Sequence, residues 1–297
     1  YVVRKNDLNV AVNFNISRNR NTFMEFPENF NTIRGEVVAN GIYPRQANVG
    51  QPIGSFYGFK FLGVYVDEED TYARNAEGAI RVDSNGDPIP MSFATGHLFE
   101  AGDAKYEYVN KDGVNDINDA QYLGDSNPDF IGGFGAKMDY KNFRASFQFM
   151  FRTGFDIVNQ IAMDTEGMIS RNNQSKAVLN RWRREGQGAD GEFILPRAYF
   201  NHPANNLGSD RYVEAGDFLR LNNISAGYAL RNNNLTRKLN VDVIEISLNF
   251  RKLLTFTRYT GQDPEISQRM EDPFWFGTDN GLTPTPRIYS VIFNIRF

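Results

Sequence analysis

Apolar and polar residues alternate along several stretches of this 297-residue chain, and this period of two restricts the fold more than any other feature. From Leu8 to Ser17, large apolar side chains fall on one side of an extended strand and mostly amide or hydroxyl side chains on the other. The same alternation recurs at 57–65, 130–140, 143–152, 224–230 and 244–251. The pattern predicts an all-β protein with antiparallel strands, each with one apolar and one polar face.

Two folds satisfy this alternation, a soluble β-sandwich and a transmembrane β-barrel, and the connection lengths favour the barrel. Lys141 and Asn142 alone join two predicted strands, and a short polar turn follows residue 230 at Asn232 to Asn234. By contrast, the segments 66–128, 155–216 and 252–287 are long and polar. Short turns at one end and long loops at the other are typical of outer-membrane barrels.

The C-terminal strand supports the same fold. Tyr289, Val291, Phe293 and Ile295 alternate with more polar positions, and the chain stops at the aromatic Phe297. A terminal aromatic residue suits the membrane boundary of the strand that closes an outer-membrane barrel. Counting strands back from this end leaves two alternatives for 18–53, a hidden strand near 35–43 or an unusual inner loop. The hidden strand is favoured, which gives about eight strands in all.

Composition excludes several classes of function. The 32 basic and 36 acidic residues leave no excess positive charge, which disfavours nucleic-acid binding. The absence of cysteine excludes disulfides, thiolate zinc sites and cysteine nucleophiles. Only two histidines are present, His97 and His202, which disfavours catalytic triads and histidine-rich metal sites. We therefore expect no enzyme activity.

One polar segment resembles a calcium loop in its spacing. Such a loop needs oxygen ligands at positions 1, 3, 5, 7, 9 and 12, with glycine at position 6. With Gly113 at position 6, the ligands from position 3 onward are Asn110, Asp112, the carbonyl of Val114, Asp116 and Asp119. Position 1 falls on Tyr108, a poor ligand, so the segment predicts either a weak structural Ca²⁺ site or a turn held by its own Asx side chains. No other cofactor is expected.

Aromatic residues in the long loops are candidates for ligand or partner contacts. Trp182 lies among arginines in the second long loop, and Phe274, Trp275 and Phe276 form an apolar group in the third. Aromatic side chains offer large stacking areas with little loss of side-chain freedom. Packing within the loops is the alternative role for all four residues.

Five ordered segments resemble the SusC/RagA family of TonB-linked outer-membrane transporters. The segment LLTFTRYTGQDPEIS is similar to a family signature, although Lys252 precedes it where the family usually has Asn and Gln262 replaces a frequent Tyr. Tyr108 likewise stands where the family has Asp, which puts a bound metal in doubt. The resembling segments, in chain order, are 51–65, 102–130, 212–230, 253–267 and the final strand.

This resemblance implies that residues 1–297 form the C-terminal part of a 22-stranded barrel with long extracellular loops, without the N-terminal strands or the plug. The chain also opens directly in an alternating pattern without a leader, so either an exported protein has lost its leader or this is the later part of a longer chain. The whole protein would sit among the lipids of the bacterial outer membrane and import an oligosaccharide or oligopeptide. A SusD-like lipoprotein would cap the loops, and TonB would drive transport through the missing N-terminal region.

Two other functions remain open from the residues themselves. One is a complete small outer-membrane barrel with a structural or adhesive role, and the other is a soluble carbohydrate-binding β-sandwich. The small barrel requires closure within these 297 residues. The sandwich requires a second sheet over the apolar face.

Overall fold

The computed structural model describes residues 3–5, 7–28, 33–34, 38–192, 194–265 and 276–297. Its largest element is a sheet of seven antiparallel strands, which we call the large sheet, and neighbours in this sheet follow chain order. The all-β antiparallel prediction is confirmed. The strands are β1 Val3–Lys5, β2 Leu8–Ser17, β3 Phe130–Tyr140, β4 Phe143–Thr153, β5 Phe218–Arg231, β6 Val243–Thr257 and β7 Ile288–Arg296.

The register of the large sheet collects the apolar residues of all its long strands on one face. Val12 of β2 pairs with Ala136, and the same row continues across the sheet through Phe147, Ile224, Phe250 and Tyr289. The next row contains the small or polar residues Ala11, Lys137, Ser146, Ser225, Asn249 and Ser290. Because successive side chains point to opposite sides of a sheet, one face is apolar and the other polar.

The apolar face is uncovered by the described part of the chain. Val12 is 59% exposed, Phe14 67% and Phe293 64%. A β-sandwich would bury these side chains against a second sheet, and the described residues place no such sheet there. The strands β1 and β7 form the two edges and do not pair with each other, so the described strands form an open wall and not a closed small barrel.

Short turns and long connections segregate to opposite ends of the large sheet. The hairpin at Lys141 and Asn142 is confirmed, because Tyr140 pairs with Phe143. The strands β2 and β3, β4 and β5, and β6 and β7 are each adjacent in the sheet but joined by a long connection. We call 18–129, 154–217 and 258–287 the first, second and third connections.

The strand predicted at 57–65 is not part of the large sheet, and this corrects the strand count. Residues Ser55–Gly58 and Phe61–Val64 instead form two short strands within the first connection, where most of their side chains are buried. The prediction of an additional strand near 35–43 is also wrong over 38–43. Asn40 makes only an isolated bridge to Leu207 there. Residues 35–37 lie outside the described residues. Because 18–129 forms a single connection between the antiparallel neighbours β2 and β3, the alternation of strand directions needs no further strand in this segment.

The turn between β5 and β6 is longer than its three asparagines predicted. Asn233 caps a short helix α2, Asn234–Leu239, by accepting the backbone N–H of Thr236, and Asn240 ends it with a φ of 53°. The strand β6 therefore begins at Val243. Another short helix, α1, Gln160–Glu166, lies in the second connection. Among the described residues, no helix has the length and hydropathy needed to cross a membrane.

The three connections pack into one folded body at one end of the large sheet, which we call the loop assembly. Its short strands pair within and between connections, and four single-turn 3₁₀ helices join them. The 3₁₀ helices are Glu69–Thr71, Ile117–Asp119, Lys176–Asn180 and Asp210–Tyr212. The remaining short strands are Ile33–Arg34, Arg45–Gln46, Ser92–Phe93, Ala104–Tyr106, Val114–Asn115, Gln121–Asp125, Asp156–Asn159, Val213–Ala215 and Thr278–Asp279.

The loop assembly has its own apolar core, unlike ordinary surface loops. Phe59, Met91 and Phe93 of the first connection pack with Leu207 of the second, and all four are at most 2% exposed. A smaller cluster that includes Ile157, Phe218 and Tyr259 joins the assembly to the end of β5. Burial of this many large side chains stabilises long connections that would otherwise be disordered.

A charged substitution on the apolar face should destabilise the protein more than the same substitution on the polar face. Val12→Arg places a guanidinium where lipid is expected, and we expect a loss of about 2–4 kcal/mol near the bilayer midplane. The matched control is Asn13→Arg, one residue along β2 on the polar face. Urea unfolding of the full protein in lipid vesicles measures the difference. Equal losses for the two variants would contradict a lipid-facing sheet.

Candidate functional site

The described residues that the sequence singled out for binding lie in the loop assembly. Trp182 lies just after the 3₁₀ helix Lys176–Asn180, and its backbone N–H donates to the carbonyl of Leu195. Its indole packs flat on Gly102, where a Cβ would come within 2.4 Å of the ring. The Trp182 Nε1 is buried without a hydrogen-bond partner in the described structure. Trp182 therefore packs inside the loop assembly. Its contact with a ligand remains a prediction.

The aromatic group of the third connection is only partly described. Phe274 and Trp275 lie outside the described residues. Phe276 is half-buried, and the carbonyl of the following Gly277 accepts the N–H of Val158 in the second connection. Phe276 thus lies where two connections meet, and a role for all three residues in ligand contact remains a prediction.

The acidic segment folds as a turn whose side chains bond to its own backbone. Asp119 is fully buried and accepts the backbone N–H groups of Val109, at 2.6 Å, and of Asp116, at 3.1 Å. Asp116 in turn caps the 3₁₀ helix Ile117–Asp119 by accepting the N–H of Asn118 at 2.8 Å. Two of the carboxylates proposed for calcium are therefore engaged with N–H donors.

The other two side chains of the calcium proposal are held in the same way. Asn110 accepts the N–H of Asp112, and Asp112 accepts the N–H of Val114 at 2.8 Å. These contacts match the Asx turn that the sequence offered as the alternative. Burial raises the pKa of Asp119, although its backbone donors lower it. Calcium binding at Asn110 to Asp119 remains a prediction.

The two histidines of the chain meet in the loop assembly, although they are 105 residues apart. Their Nε2 atoms are 3.0 Å apart, and His202 Nε2 lies 3.2 Å from Oδ2 of Asp103. His202 and Asp103 are fully buried, whereas His97 is partly exposed. Arg197 completes the group with two hydrogen bonds to the Asp103 carboxylate, at 2.7 and 3.2 Å. We call these four residues the His–Asp cluster.

Hydrogen bonds fix the protonation of the His–Asp cluster. His202 Nδ1 accepts the N–H of Ala204 at 3.1 Å, so its ring proton is on Nε2, facing His97 and Asp103. Burial and the neighbouring His202 lower the pKa of His97, which keeps His97 neutral at pH 7. Burial acts to raise the pKa of Asp103, but hydrogen bonds from His202 and Arg197 outweigh it, and the pKa lies below its ordinary value.

The His–Asp cluster has the residue types of a zinc site, because the ligand atoms of His97, Asp103 and His202 lie within 4.8 Å of one another. A metal on His202 Nε2 would require the ring proton on Nδ1, where the Ala204 N–H already donates. The Asp103 oxygens also already accept N–H groups from Glu100, Arg197 and Asn205. The residues therefore do not fit a metal ion, and the cluster is a closed hydrogen-bonded core.

Sequence reasoning missed this cluster because no local spacing indicates it. His97, Asp103 and His202 come from two different connections, and only the packing of these connections brings the side chains together. The composition argument treated two histidines as too few for a site. The composition could not show that His202 would contact Asp103 and that His97 would contact His202.

A second buried charged group anchors the third connection to the large sheet. Arg220 of β5 is 2% exposed, and its guanidinium bonds to Asp263, to Glu265 and, at 2.9 Å, to the hydroxyl of Thr255 on β6. Thr285 donates a further hydrogen bond to Asp263 at 3.1 Å. The residues come from the resembling segments 212–230 and 253–267, so these segments contact each other directly and act in anchoring.

Acid should remove the stability that Asp103 contributes to the loop assembly. Because the pKa of Asp103 is below its ordinary value of about 3.9, the contribution is present above pH ~4 and is lost as pH falls below it. We expect Asp103→Asn to cost about 3 kcal/mol at pH 7, since it leaves the buried His202 and Arg197 without their carboxylate. Hydrogen exchange of the 97–106 amides measures this cost. A cost that is unchanged down to pH 2.5 would contradict the assignment.

Loss of the Arg220 anchor should release the third connection. We expect Arg220→Gln to leave Asp263 and Glu265 without their buried partner and to weaken the attachment by about 3–5 kcal/mol. Limited proteolysis of the full protein should then cut faster within 258–287. The control is Arg251→Gln, an exposed arginine on the polar face of β6. Equal cutting rates in the two variants would show that Arg220 is not the anchor.

Comparison with known proteins gives relatives of one kind. The chain is 27% identical over 304 residues to the TonB-dependent receptor P3 of Formosa agariphila, and 25% identical over 303 residues to receptor P39 of the same organism. These alignments cover 99% and 92% of this chain but 27% of each receptor, so the chain spans about a quarter of the length of these relatives. No family model matches the chain.

Solved structures share the fold. A chain of the RagAB peptide importer in its closed-closed state superposes with a TM-score of 0.65 and 20% sequence identity, over 99% of this chain and 28% of that chain. A second structure, of the RagAB peptide transporter, gives a TM-score of 0.65 at 19% identity. The proteins found are receptors and importers, in agreement with the expectation of a non-enzyme. These comparisons confirm the resemblance carried by the five segments: the chain is a homologue of TonB-dependent receptors and has the fold of the matching part of a RagAB chain.

Proposed function

We propose that the receptor containing this chain imports an oligosaccharide or oligopeptide across the bacterial outer membrane in a TonB-dependent manner. The observation that carries this proposal is the large sheet, which has an exposed apolar face, a polar opposite face and one folded loop assembly at one end. A wall of this kind suits a lipid-embedded barrel with a polar lumen. The similarity to relatives named TonB-dependent receptors supports TonB as the source of energy for this import.

The loop assembly supports the further proposal of a lipoprotein partner at the cell surface. Its connections are held by apolar cores and by buried ion pairs, so they present a defined surface and not a set of mobile loops. Protein partners bind most readily to surfaces that need little ordering on contact. We propose a SusD-like lipoprotein as the partner that covers this surface.

An oligopeptide is the cargo with the more direct support. The structural neighbours are titled as a peptide importer and a peptide transporter. An oligosaccharide remains the second cargo, because Tyr72, Tyr106 and Tyr108 line a cavity of about 320 Å³ in the first connection and tyrosine rings stack on sugars. The cation Lys111 lies 4.2 Å from the centre of the Tyr108 ring at this cavity.

Uptake by the source bacterium tests the import proposal. Deletion of the full receptor gene should abolish uptake of either fluorescent oligopeptides or fluorescent oligosaccharides, and deletion of TonB should abolish the same uptake. Restoring the wild-type receptor should restore it in the first strain only. Uptake of both cargo classes that persists in either deletion strain would contradict the proposal.

Purification of the tagged receptor in mild detergent tests the partner, which should copurify in a one-to-one ratio.

A further inference from the structure

Arg211 is a buried arginine whose hydrogen bonds are incomplete. Its side chain is 3% exposed, and neither Nε nor Nη2 has a hydrogen-bond partner in the described structure. The nearest carboxylate is that of Glu166 at the end of α1, with Oε2 at 3.6 Å from Nη2, which is beyond hydrogen-bond length. Native proteins rarely leave buried polar groups unpaired, because each one costs about 1–3 kcal/mol.

Arg197 of the loop assembly and Arg220 of β5 both bond to carboxylates. Arg197 makes two hydrogen bonds to Asp103 and a 2.8 Å contact with Glu100. Arg220 bonds to both Asp263 and Glu265. Arg211 differs from them because its Nε and Nη2 have no hydrogen-bond partner among the described residues. Burial also raises the pKa of Glu166 despite the nearby guanidinium, so this ion pair is poorly compensated.

Aromatic rings hold the Arg211 guanidinium in a fixed position. Its Cζ atom lies 4.5 Å from the centre of the Tyr212 ring and 5.3 Å from that of Phe61. Stacked guanidinium groups keep their N–H edges free for in-plane hydrogen bonds, and a carboxylate is the group that matches two adjacent N–H donors. The side chain is therefore ordered before any ligand binds.

Arg211 lines an open cavity of about 320 Å³ at the surface of the loop assembly. The short strand Phe61–Val64 supplies an apolar wall of this cavity, and Gly188 and Gly191 also line it. Both glycines have positive φ, and a Cβ at Gly191 would meet nothing within 4 Å. The cavity therefore combines an apolar wall, uncrowded backbone and one buried cation that lacks hydrogen-bond acceptors.

We propose that this cavity binds the carboxylate of a ligand at Arg211, with the body of the ligand on the apolar wall. Both an oligopeptide C-terminus and a uronic acid have this chemistry, and the cavity is large enough for a terminal residue of either. Two acidic residues of the lining limit the site. Asp210 is engaged, since it accepts the N–H of Phe61 at 2.7 Å, whereas the exposed Glu192 opposes an anionic ligand. The site is independent of import, since binding requires no transport.

Calorimetry on the full receptor in detergent tests this site. The probes are N-acetyl-trialanine and its C-terminal amide, and trigalacturonate with maltotriose as its neutral counterpart. We expect the acid of one pair to bind at least about tenfold more tightly than its neutral counterpart, since a charge-assisted hydrogen bond is worth about 1.5–3 kcal/mol. The pair that shows the preference identifies the source of the carboxylate. Equal binding within both pairs, or no binding at 10 mM, overturns the proposal.

Variants that leave the buried arginine in place keep the test independent of folding. Leu62 lines the cavity and is 52% exposed, so Leu62→Glu adds a negative charge without disturbing a core and should weaken binding of the acid at least threefold. The control Leu179→Glu changes an equally exposed type of site, at 65%, outside the cavity lining and should leave binding unchanged. Glu192→Gln should strengthen binding. Identical affinities in all three variants would overturn the proposal.

Discussion

Backbone pairing between antiparallel neighbours is the constraint on which the rest of this structure depends. Each N–H and C=O of a strand in lipid must find a partner, because no water is present to replace it. The pairing from β2 to β7, with one register shift in the β4–β5 pair and one in the β5–β6 pair, meets this requirement between the strands. It also aligns the alternating side chains of six strands. A slip of one residue in any pair would move polar groups such as Lys137 to the apolar face.

The same alignment determines where the connections lie and what they must do. All three long connections leave the large sheet at one end, so they share a limited space and pack against one another. Packing buries their polar groups as well as their aromatic ones, and buried charges are tolerated only when they are paired. Arg197 with Asp103, and Arg220 with Asp263, satisfy this condition. Arg211 is only partly paired, and we therefore propose its cavity as the part of the loop assembly that binds a ligand.

Local patterns predicted the strands of the wall but failed at 57–65, and the reason is physical. Alternation reports that one side of a strand is apolar, and it cannot report what covers that side. The strand pair at Phe61 and Tyr106 is buried in the loop assembly on account of its neighbours Met91 and Leu207. Likewise, the acidic turn was correctly identified as an Asx-rich segment, since its hydrogen bonds are local, whereas the convergence of His97 and His202 depends on two separate connections.

The sequence by itself determined the strand pattern, the two faces of the large sheet, the two-residue hairpin at Lys141 and the family resemblance. These features depend on the period of the side chains and on ordered local motifs, which are present in the unfolded chain. Only the tertiary structure decided how the resembling segments 212–230 and 253–267 contact each other, and that Asp103 is the partner of both His202 and Arg197. It also decided that Nε and Nη2 of Arg211 have no hydrogen-bond partner among the described residues. Contacts between residues far apart in the chain follow from packing, and packing has no local signal in the sequence.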